Sequence, residues 1–492
     1  MLIRLILDPR CVRQWHRALV DRLQGQPGLS TALAWADLSP RVAGLDTLIL
    51  LESLIFRIPR NHFSLPAKLD PCVSDDDTPD VVIDLTASRV AGGGSLPVFT
   101  LTCAEAPVDL GAFDAVLAGS MVDLTLTLWQ NGRPLKVATW CVAVEEPNSL
   151  ARGAGPIFAR AIHMLGLAVA QLAIGFPPGD LSLPSAGFEG VKPKPVAPLV
   201  FGAQCFLGRL QRLLRTAPNW VVGVRSGSAG SGLPRFGGSA FARLADDGRR
   251  FYADPFVWSE AGRTVLFVEE YPFSTGKGVI SAIELENGRP VGVPRVVIET
   301  PYHLSYPFVF AHEGSIFMVP ETSECKRVEL WRCTRFPDAW SLHAVLIENA
   351  DLSDATLLQR DGRWFLFAAS REPGGSSWDA LDVWTAGALE GPWSRVGAGP
   401  AMVDVRSARP AGRLFMADGA LVRPAQNCVS GYGSGLTFAR IDRLDPDAFT
   451  QTVLASVSAG PPSGGIHTYN RSDDIEVVDA ILARGTADFI IE

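Results

Sequence analysis

The sequence has no cysteine pair at the CxxC spacing, no cysteine–histidine cluster at metal-ligand spacing and no excess of basic charge. Its eight cysteines, at 11, 72, 103, 141, 205, 325, 333 and 428, are scattered, as are its seven histidines. No metal is expected from such spacing, and the thiols read as free groups in a reducing cytosol. A net charge of -8 argues against a nucleic-acid partner, which needs a basic surface. The N-terminal stretch MLIRLILDPRCVRQW holds too short an apolar run for a secretory leader. Together these absences predict a cytoplasmic protein. The most apolar segment, Ile157 to Phe176, is interrupted by Arg160, His163 and Gln171. It is expected to be a buried or amphipathic helix rather than a membrane span.

The chain does contain a repeat. The stretch Tyr252 to Tyr271 reads as strand, tight turn and strand: Phe256 to Trp258 and Val265 to Val268 are apolar runs flanking Glu260-Ala261-Gly262-Arg263. The first strand opens on Asp254 and Pro255, a residue tolerated where no ladder donor is needed. The layout recurs with leading positions 254, 307, 354, 409 and 467, in steps of 53, 47, 55 and 58 residues. A hairpin unit repeating at this period predicts a β-propeller, here of five blades. The first strands of all blades start at one mouth of the central channel. Asp254, Tyr306, Asp354, Arg409 and His467 are therefore expected to converge there. Trp220 to Val224 reads as a strand that completes the last blade and closes the ring.

The 492 residues suffice for two or three domains, and 47% hydrophobic with 20% charged residues is ordinary globular composition. Residues 1–176 predict an α/β domain. Strands are expected at Leu2 to Leu7, Val81 to Leu85 and Pro97 to Thr102, helices at Val12 to Leu23, Leu45 to Ile58 and 151–175, and a hairpin about Asn131-Gly132. Gly92-Gly93-Gly94 lacks a following phosphate-loop lysine and reads as a turn, so no cofactor is called for. Residues 177–217 form a linker with six prolines after Phe176. It ends in an amphipathic helix over 205–215 that either packs on a domain or touches a membrane surface peripherally. The fold class is thus an α/β N-terminal domain followed by an all-β five-bladed propeller over 218–492.

Three resemblances attach to particular residues. Asn61-His62-Phe63-Ser64-Leu65-Pro66 resembles elements of formyltransferases and implies a formyltransferase-like first domain, active or inactive. Tyr252-Ala253-Asp254-Pro255 resembles the first-blade signature of the arabinanase, xylosidase and fructosidase propellers. That implies a base or nucleophile at Asp254 and a substrate-orienting acid at Asp354; their late-blade general-acid Glu has no counterpart, and Glu321 ends the second blade instead. His303-Leu304-Ser305-Tyr306-Pro307, Pro320-Glu321-Thr322, Ser407 to Gly412, Arg423 to Cys428 and Tyr432-Gly433 resemble the N-terminal domain of glucosamine inositolphosphorylceramide transferases over about residues 218–490. In the plant proteins a glycosyltransferase domain follows. The end at Glu492 leads us to expect that domain to be missing, and a bacterial-type pairing with a formyltransferase-like front half.

Acids paired across a pocket suit glycosyl chemistry. The expected catalytic residues are Asp254, Glu321 and Asp354. Tyr306, Arg409, Arg423, Gln426, His467 and Glu270 are expected to bind substrate, the arginines holding a phosphate or carboxylate and His467 relaying a proton. Glu269, Asp479, Trp258, Trp331 and Trp364 read as scaffold. The expected partner is a sugar, nucleotide-sugar or glycolipid, and the expected activity is glycosyl transfer or glycan modification. A propeller hydrolase and a non-catalytic glycan-binding propeller remain open.

Overall fold

The computed structural model describes residues 1–36, 44–69, 78–86, 96–119, 121–177, 183, 185, 219–226, 232–237, 239–458, 464–472, 474–482 and 488–491. The triple glycine, most of the proline-rich linker and the 205–215 helix, with its possible membrane contact, lie outside these residues. The chain divides into two compact units, Met1–Thr216 with Glu372–Ser376, and Ala217–Arg371 with Ser377–Glu492.

The first unit is α/β. Its elements are β1 (Leu2–Leu7), α1 (Gln14–Gln24), β2 (Ser30–Trp35), α2 (Leu45–Ile55), β3 (Val81–Asp84), β4 (Val98–Cys103), β5 (Ala106–Pro107), α3 (Val108–Ala118), β6 (Val122–Gln130), β7 (Arg133–Val142) and α4 (Leu150–Ala173). The sheet runs β2-β1-β3-β4-β6-β7, parallel as far as β4 and antiparallel beyond it. Asn131 and Gly132, both at positive φ, close the β6–β7 hairpin. Helix α4 is long and apolar enough to cross a membrane, but 72% of its most apolar window is buried inside the protein. Buried Glu52 caps it, accepting hydrogen bonds from the backbone N–H of Leu150 and Ala151 and from the Ser149 hydroxyl, each at 2.9 Å.

The His62 loop is a packing element on that helix. Ser64 Oγ donates to the Ala151 carbonyl at 2.6 Å, and the His62 ring covers Gly155, where a Cβ would stand 2.9 Å from Cε1. Burial and then Arg152 hold the His62 pKa below its ordinary value. Half-buried against a helix, the imidazole has a structural occupation.

The second unit is the propeller. Four-stranded blades are laid out in sequence order over 250–298 and 305–348, and a third blade spans 352–403. The fourth occupies Phe415–Ser458. Each of the four opens on a hairpin whose turn carries a positive-φ residue before a glycine: Ala261-Gly262, Glu313-Gly314, Asp361-Gly362 and Asp418-Gly419. That geometry matches the twist of the flanking strands. The fifth blade is composite. Tyr469–Ser472 and Ile475–Ile481 pair onward with Trp220–Ser226 and Ala242–Arg243. The expected closing strand thus joins the two ends of the propeller segment, and Arg225 locks it through a buried 2.7 Å ion pair with Glu476. Between blades, Phe256, Tyr306, Phe308, Leu357 and Trp364 share one apolar cluster, so each wedge is held by its neighbours.

The innermost strands of blades 1 to 3 carry the same irregularity. The ladder slips between Ala253 and Phe256, between Ser305 and Phe308, and between Ser353 and Thr356. In each slip one residue takes the left-handed conformation: Asp254 (φ 48°), Tyr306 (φ 45°) and Asp354 (φ 57°). Bulges of this kind re-aim a side chain, and non-glycine residues held there cost about 1–3 kcal/mol each. Three equivalent strained positions at one end of the ring mark where the site is built.

Candidate active site at the propeller mouth

Two buried polar assemblies meet at the mouth. The first joins blades 1 and 5. Asp254 Oδ1 accepts from Thr468 Oγ at 2.6 Å and Oδ2 from the Tyr306 backbone N–H at 3.2 Å. His467 Nδ1 lies 2.6 Å from Asp479 Oδ2, and His467 Nε2 lies 3.9 Å from Asp254 Oδ1. Asp479 also accepts the backbone N–H groups of Asp254, His467 and Thr468. The His467 ring is stacked on Trp220 at 3.9 Å. Burial opposes charge on this histidine, but Asp479 and Asp254 prevail and its pKa is raised. Potential ligand atoms of Asp254, His467 and Asp479 lie within 4.8 Å of one another. Every oxygen of both carboxylates already accepts a protein hydrogen bond, however, so the trio has the character of a charge relay rather than an open coordination shell.

The second assembly joins blades 2, 3 and 4. Arg409 donates through Nε to Asp354 Oδ2 at 2.6 Å and through an η nitrogen to Ser377 Oγ at 3.0 Å. Its other η nitrogen lies 3.7 Å from Glu321 Oε2. Gln426 Nε2 donates to Asp354 Oδ2 at 3.2 Å, and Ser323 Oγ to Glu321 Oε1 at 2.6 Å. Tyr432 links the assemblies: the Arg409 guanidinium sits 5.1 Å from its ring centroid, and the His467 ring meets it edge-on at 5.3 Å.

Among the described residues the mouth holds more acids than cations: Asp254, Glu269, Glu321, Asp354 and Asp479 face Arg409 and His467, with the His303 ring at the rim. Carboxylates that share a low-dielectric pocket cannot all ionise. Burial pushes Asp254 up, and it pushes Glu269 and Asp354 well above the carboxylate range, neighbouring acids adding to the effect. For Glu321, burial is outweighed by Arg409 and by a hydrogen bond with Asp354, and its pKa is lowered. Environments that separate the proton affinities of adjacent acids are what acid–base chemistry requires.

The structure therefore gathers Asp254, Glu321, Asp354, Arg409, Gln426 and His467. Tyr306 contributes its backbone N–H alone; its side chain is fully buried and its hydroxyl meets Thr356 Oγ at 2.9 Å. Two expected residues point elsewhere. Glu270 accepts from Arg250 and, at 2.7 Å, from Ser281, because strand alternation turns it to the opposite face from Glu269. Arg423 bonds to the Ser407 and Ala408 carbonyls and to Gln451, so it ties blade 4 together instead of holding an anion. Arg409 is committed to Asp354, Ser377 and Glu321, which removes the expected phosphate clamp.

Glu269, Asp479 and His303 were not expected as site residues. Asp479 had a signal: it is an acid inside the apolar run Val477-Val478-Asp479-Ala480-Ile481, and an acid buried in such a run needs partners.

Residues 239–478 match the family described as glucosamine inositolphosphorylceramide transferase 1, N-terminal. The match spans most of the propeller's residues. Over 205 residues the chain is 37% identical to glucosamine inositolphosphorylceramide transferase 1 of Oryza sativa subsp. japonica, covering 41% of this chain and 27% of the relative. It is 30% identical over 208 residues to the protein of that name from Arabidopsis thaliana, with 41% and 27% covered. The chain thus spans about a quarter of the length of these relatives. They are plant proteins named for a ceramide lipid, which overturns the cytoplasmic expectation and leaves the bacterial-type one without support. Free thiols and a short N-terminal apolar run do not report a compartment. Residues 1–238 lie outside the match, so the formyltransferase-like reading of the N-terminal domain has no support there. Among solved structures, a family 117 glycoside hydrolase from Zobellia galactanivorans is 12% identical with a TM-score of 0.35, covering 55% of this chain and 93% of that one. The xylotriose-bound GH43_1 enzyme from Xanthomonas citri is 13% identical with a TM-score of 0.34, covering 49% and 96%. Neither likeness carries the functional argument.

Proposed function

We propose that the propeller mouth acts on the sugar end of a glycolipid, making or breaking a glycosidic bond to an amino sugar. The observation that carries this is the acid cluster at one end of the ring, built with residues from all five blades and with Asp254 and Asp354 on left-handed backbone positions. In this reading Asp254 serves the anomeric carbon as base or nucleophile, Asp354 orients substrate, and His467 with Asp479 sets the charge on Asp254. The surplus of acids favours a cationic sugar, whose ammonium would gain from a negative, partly dry pocket. The relatives' name, with its glucosamine, agrees. A phosphate-first reading through a nucleotide-sugar is disfavoured because Arg409, the guanidinium described at the mouth, is already bonded to Asp354 and Ser377.

The test is calorimetric and kinetic. Methyl glucosaminide should bind at least about tenfold tighter than its N-acetyl counterpart, a difference of about 1.4 kcal/mol. Asp254→Asn should lower turnover of a glucosaminide by about 10²–10⁴. Equal affinities, or unchanged turnover, would remove the assignment. A binding-only propeller is the second reading. It is favoured by one fact: both oxygens of Asp254 already accept hydrogen bonds from within the protein. Tight binding of methyl glucosaminide with no turnover by the unmodified chain would select it.

A further inference from the structure

The roles proposed above for Asp254 and Asp354 leave the mouth without a proton donor. The structure places another carboxyl there. Glu269, near the end of the second strand of blade 1, is opposite Ala253 in the ladder and so shares the side that leads into the bulge at Asp254. Four acids from four blades bear on it: Asp254, Glu321, Asp479 and Asp354. One nitrogen base faces it, with His303 Nε2 3.5 Å from Glu269 Oε1.

The tautomer of His303 is fixed by its other nitrogen. Nδ1 accepts the Gly278 backbone N–H at 2.9 Å, so the neutral ring carries its hydrogen on Nε2, aimed at Glu269. The His303 backbone is itself anchored, its N–H donating to Glu324 Oε2 at 2.7 Å. The packing leaves no slack. A Cβ on Gly278 would stand 2.4 Å from the Leu304 carbonyl oxygen, 2.7 Å from His303 Cε1 and 2.9 Å from Glu269 Oε1. Only glycine lets backbone, imidazole and carboxyl meet there. The Glu269 side chain is 9% exposed and that of His303 32%, so the carboxyl looks inward while the ring lies at the rim.

We propose that Glu269 is the proton donor of the mouth and that His303 is its positioning residue. This rests on the glycosidic reading above. His303 Nε2 stands 3.5 Å from Oε1, so the proton is placed on Oε2, away from the ring. As the glycosidic C–O bond breaks, its electron pair goes to the leaving oxygen, which takes the Oε2 proton. The oxygen of the acceptor, water or a sugar alcohol, bonds to the anomeric carbon and gives its own proton to ionised Asp254. Glu269 then regains a proton from solvent and Asp254 releases one, so the cycle closes without a further reactant.

Two measurements on the full chain test it. In protein labelled with ¹³C at glutamate carboxyls, the resonance lost in Glu269→Gln should still be protonated at pH 7. Ionisation within the ordinary carboxylate range would overturn the proposal whatever the substrate. Turnover is then compared for methyl and 2,4-dinitrophenyl glucosaminides. Glu269→Gln should lose about 10²–10⁴ with the methyl glycoside and far less with the dinitrophenyl one, whose leaving oxygen needs no proton. His303→Gln, which can keep an N–H donor near Oε1, should retain more activity than His303→Leu and the same shape of pH profile. Equal losses by Glu269→Gln on both glycosides would sink the acid role alone, whereas unchanged turnover in Asp254→Asn would sink the glycosidic reading beneath it.

Discussion

At the scale of single residues the mouth is a problem of charge. Arg409 is the buried cation that Asp354 and Glu321 share, and its own side chain is 8% exposed. Removing one partner of a buried pair costs about 3–5 kcal/mol, because the remaining charge has neither water nor counter-ion. Arg409→Met should lower stability by that order at neutral pH in denaturant unfolding. The sign of its pH dependence follows from Glu321, whose folded pKa is held below the unfolded one. Such a group contributes stability above its unfolded pKa and loses it as pH falls through the folded value. The deficit of Arg409→Met should therefore shrink on acidification through the carboxylate range. A deficit independent of pH would mean that Arg409 acts by packing alone. His467 has the opposite sign: its raised pKa adds stability that is complete below the unfolded value and fades as pH rises through the folded one.

At the scale of elements, the bulged inner strands decide what faces the channel. Gly412, between blades 4 and 5, sits at φ 141°, and a Cβ there would lie 2.0 Å from the Tyr469 carbonyl oxygen. Gly412→Ala must displace the inner strand of blade 5, next to Thr468 and His467. A loss of about 1–3 kcal/mol in thermal unfolding is expected, with weakened methyl glucosaminide binding. A variant as stable as its parent would show the joint to be loose. The same strands explain what could be read in the sequence. Alternating runs, with glycine-bearing turns in four of the five hairpins, made the hairpins and the closing strand legible, since both depend on local chemistry. Which of two adjacent glutamates faces the mouth was not legible. The slip between Ala253 and Phe256 changes the side-chain parity along the strand, and a bulge is visible only once its partner strand is in place. Glu270 was the expectation, and Glu269 is the one set among the acids of the mouth. Arg423 failed differently: its target is the Ser407 and Ala408 carbonyls, a contact no spacing rule encodes. In the first unit, by contrast, the Asn131-Gly132 hairpin and the buried long helix followed directly from turn chemistry and apolar periodicity.

At the scale of the whole molecule, the ring shows why the family match and the folding unit do not coincide. The match begins at 239, yet blade 5 needs Trp220–Ser226, whose seven residues pair with Ile475–Ile481 from end to end. Those residues bring Trp220 to the face of His467 and Arg225 to Glu476, so closure of the ring and the electrostatics of the mouth share one strand. A chain begun at 239 would leave Ile475–Ile481 with an unpaired apolar edge, the kind that recruits other chains, and would leave Glu476 buried without its cation. We expect a 239–492 fragment to self-associate in size-exclusion chromatography and to melt below a 217–492 fragment, with His467 titrating differently once its stacking partner is gone. Equal melting and a monomeric elution for both would mean that blade 5 closes without its borrowed strand, and that the mouth owes its shape to the other four blades.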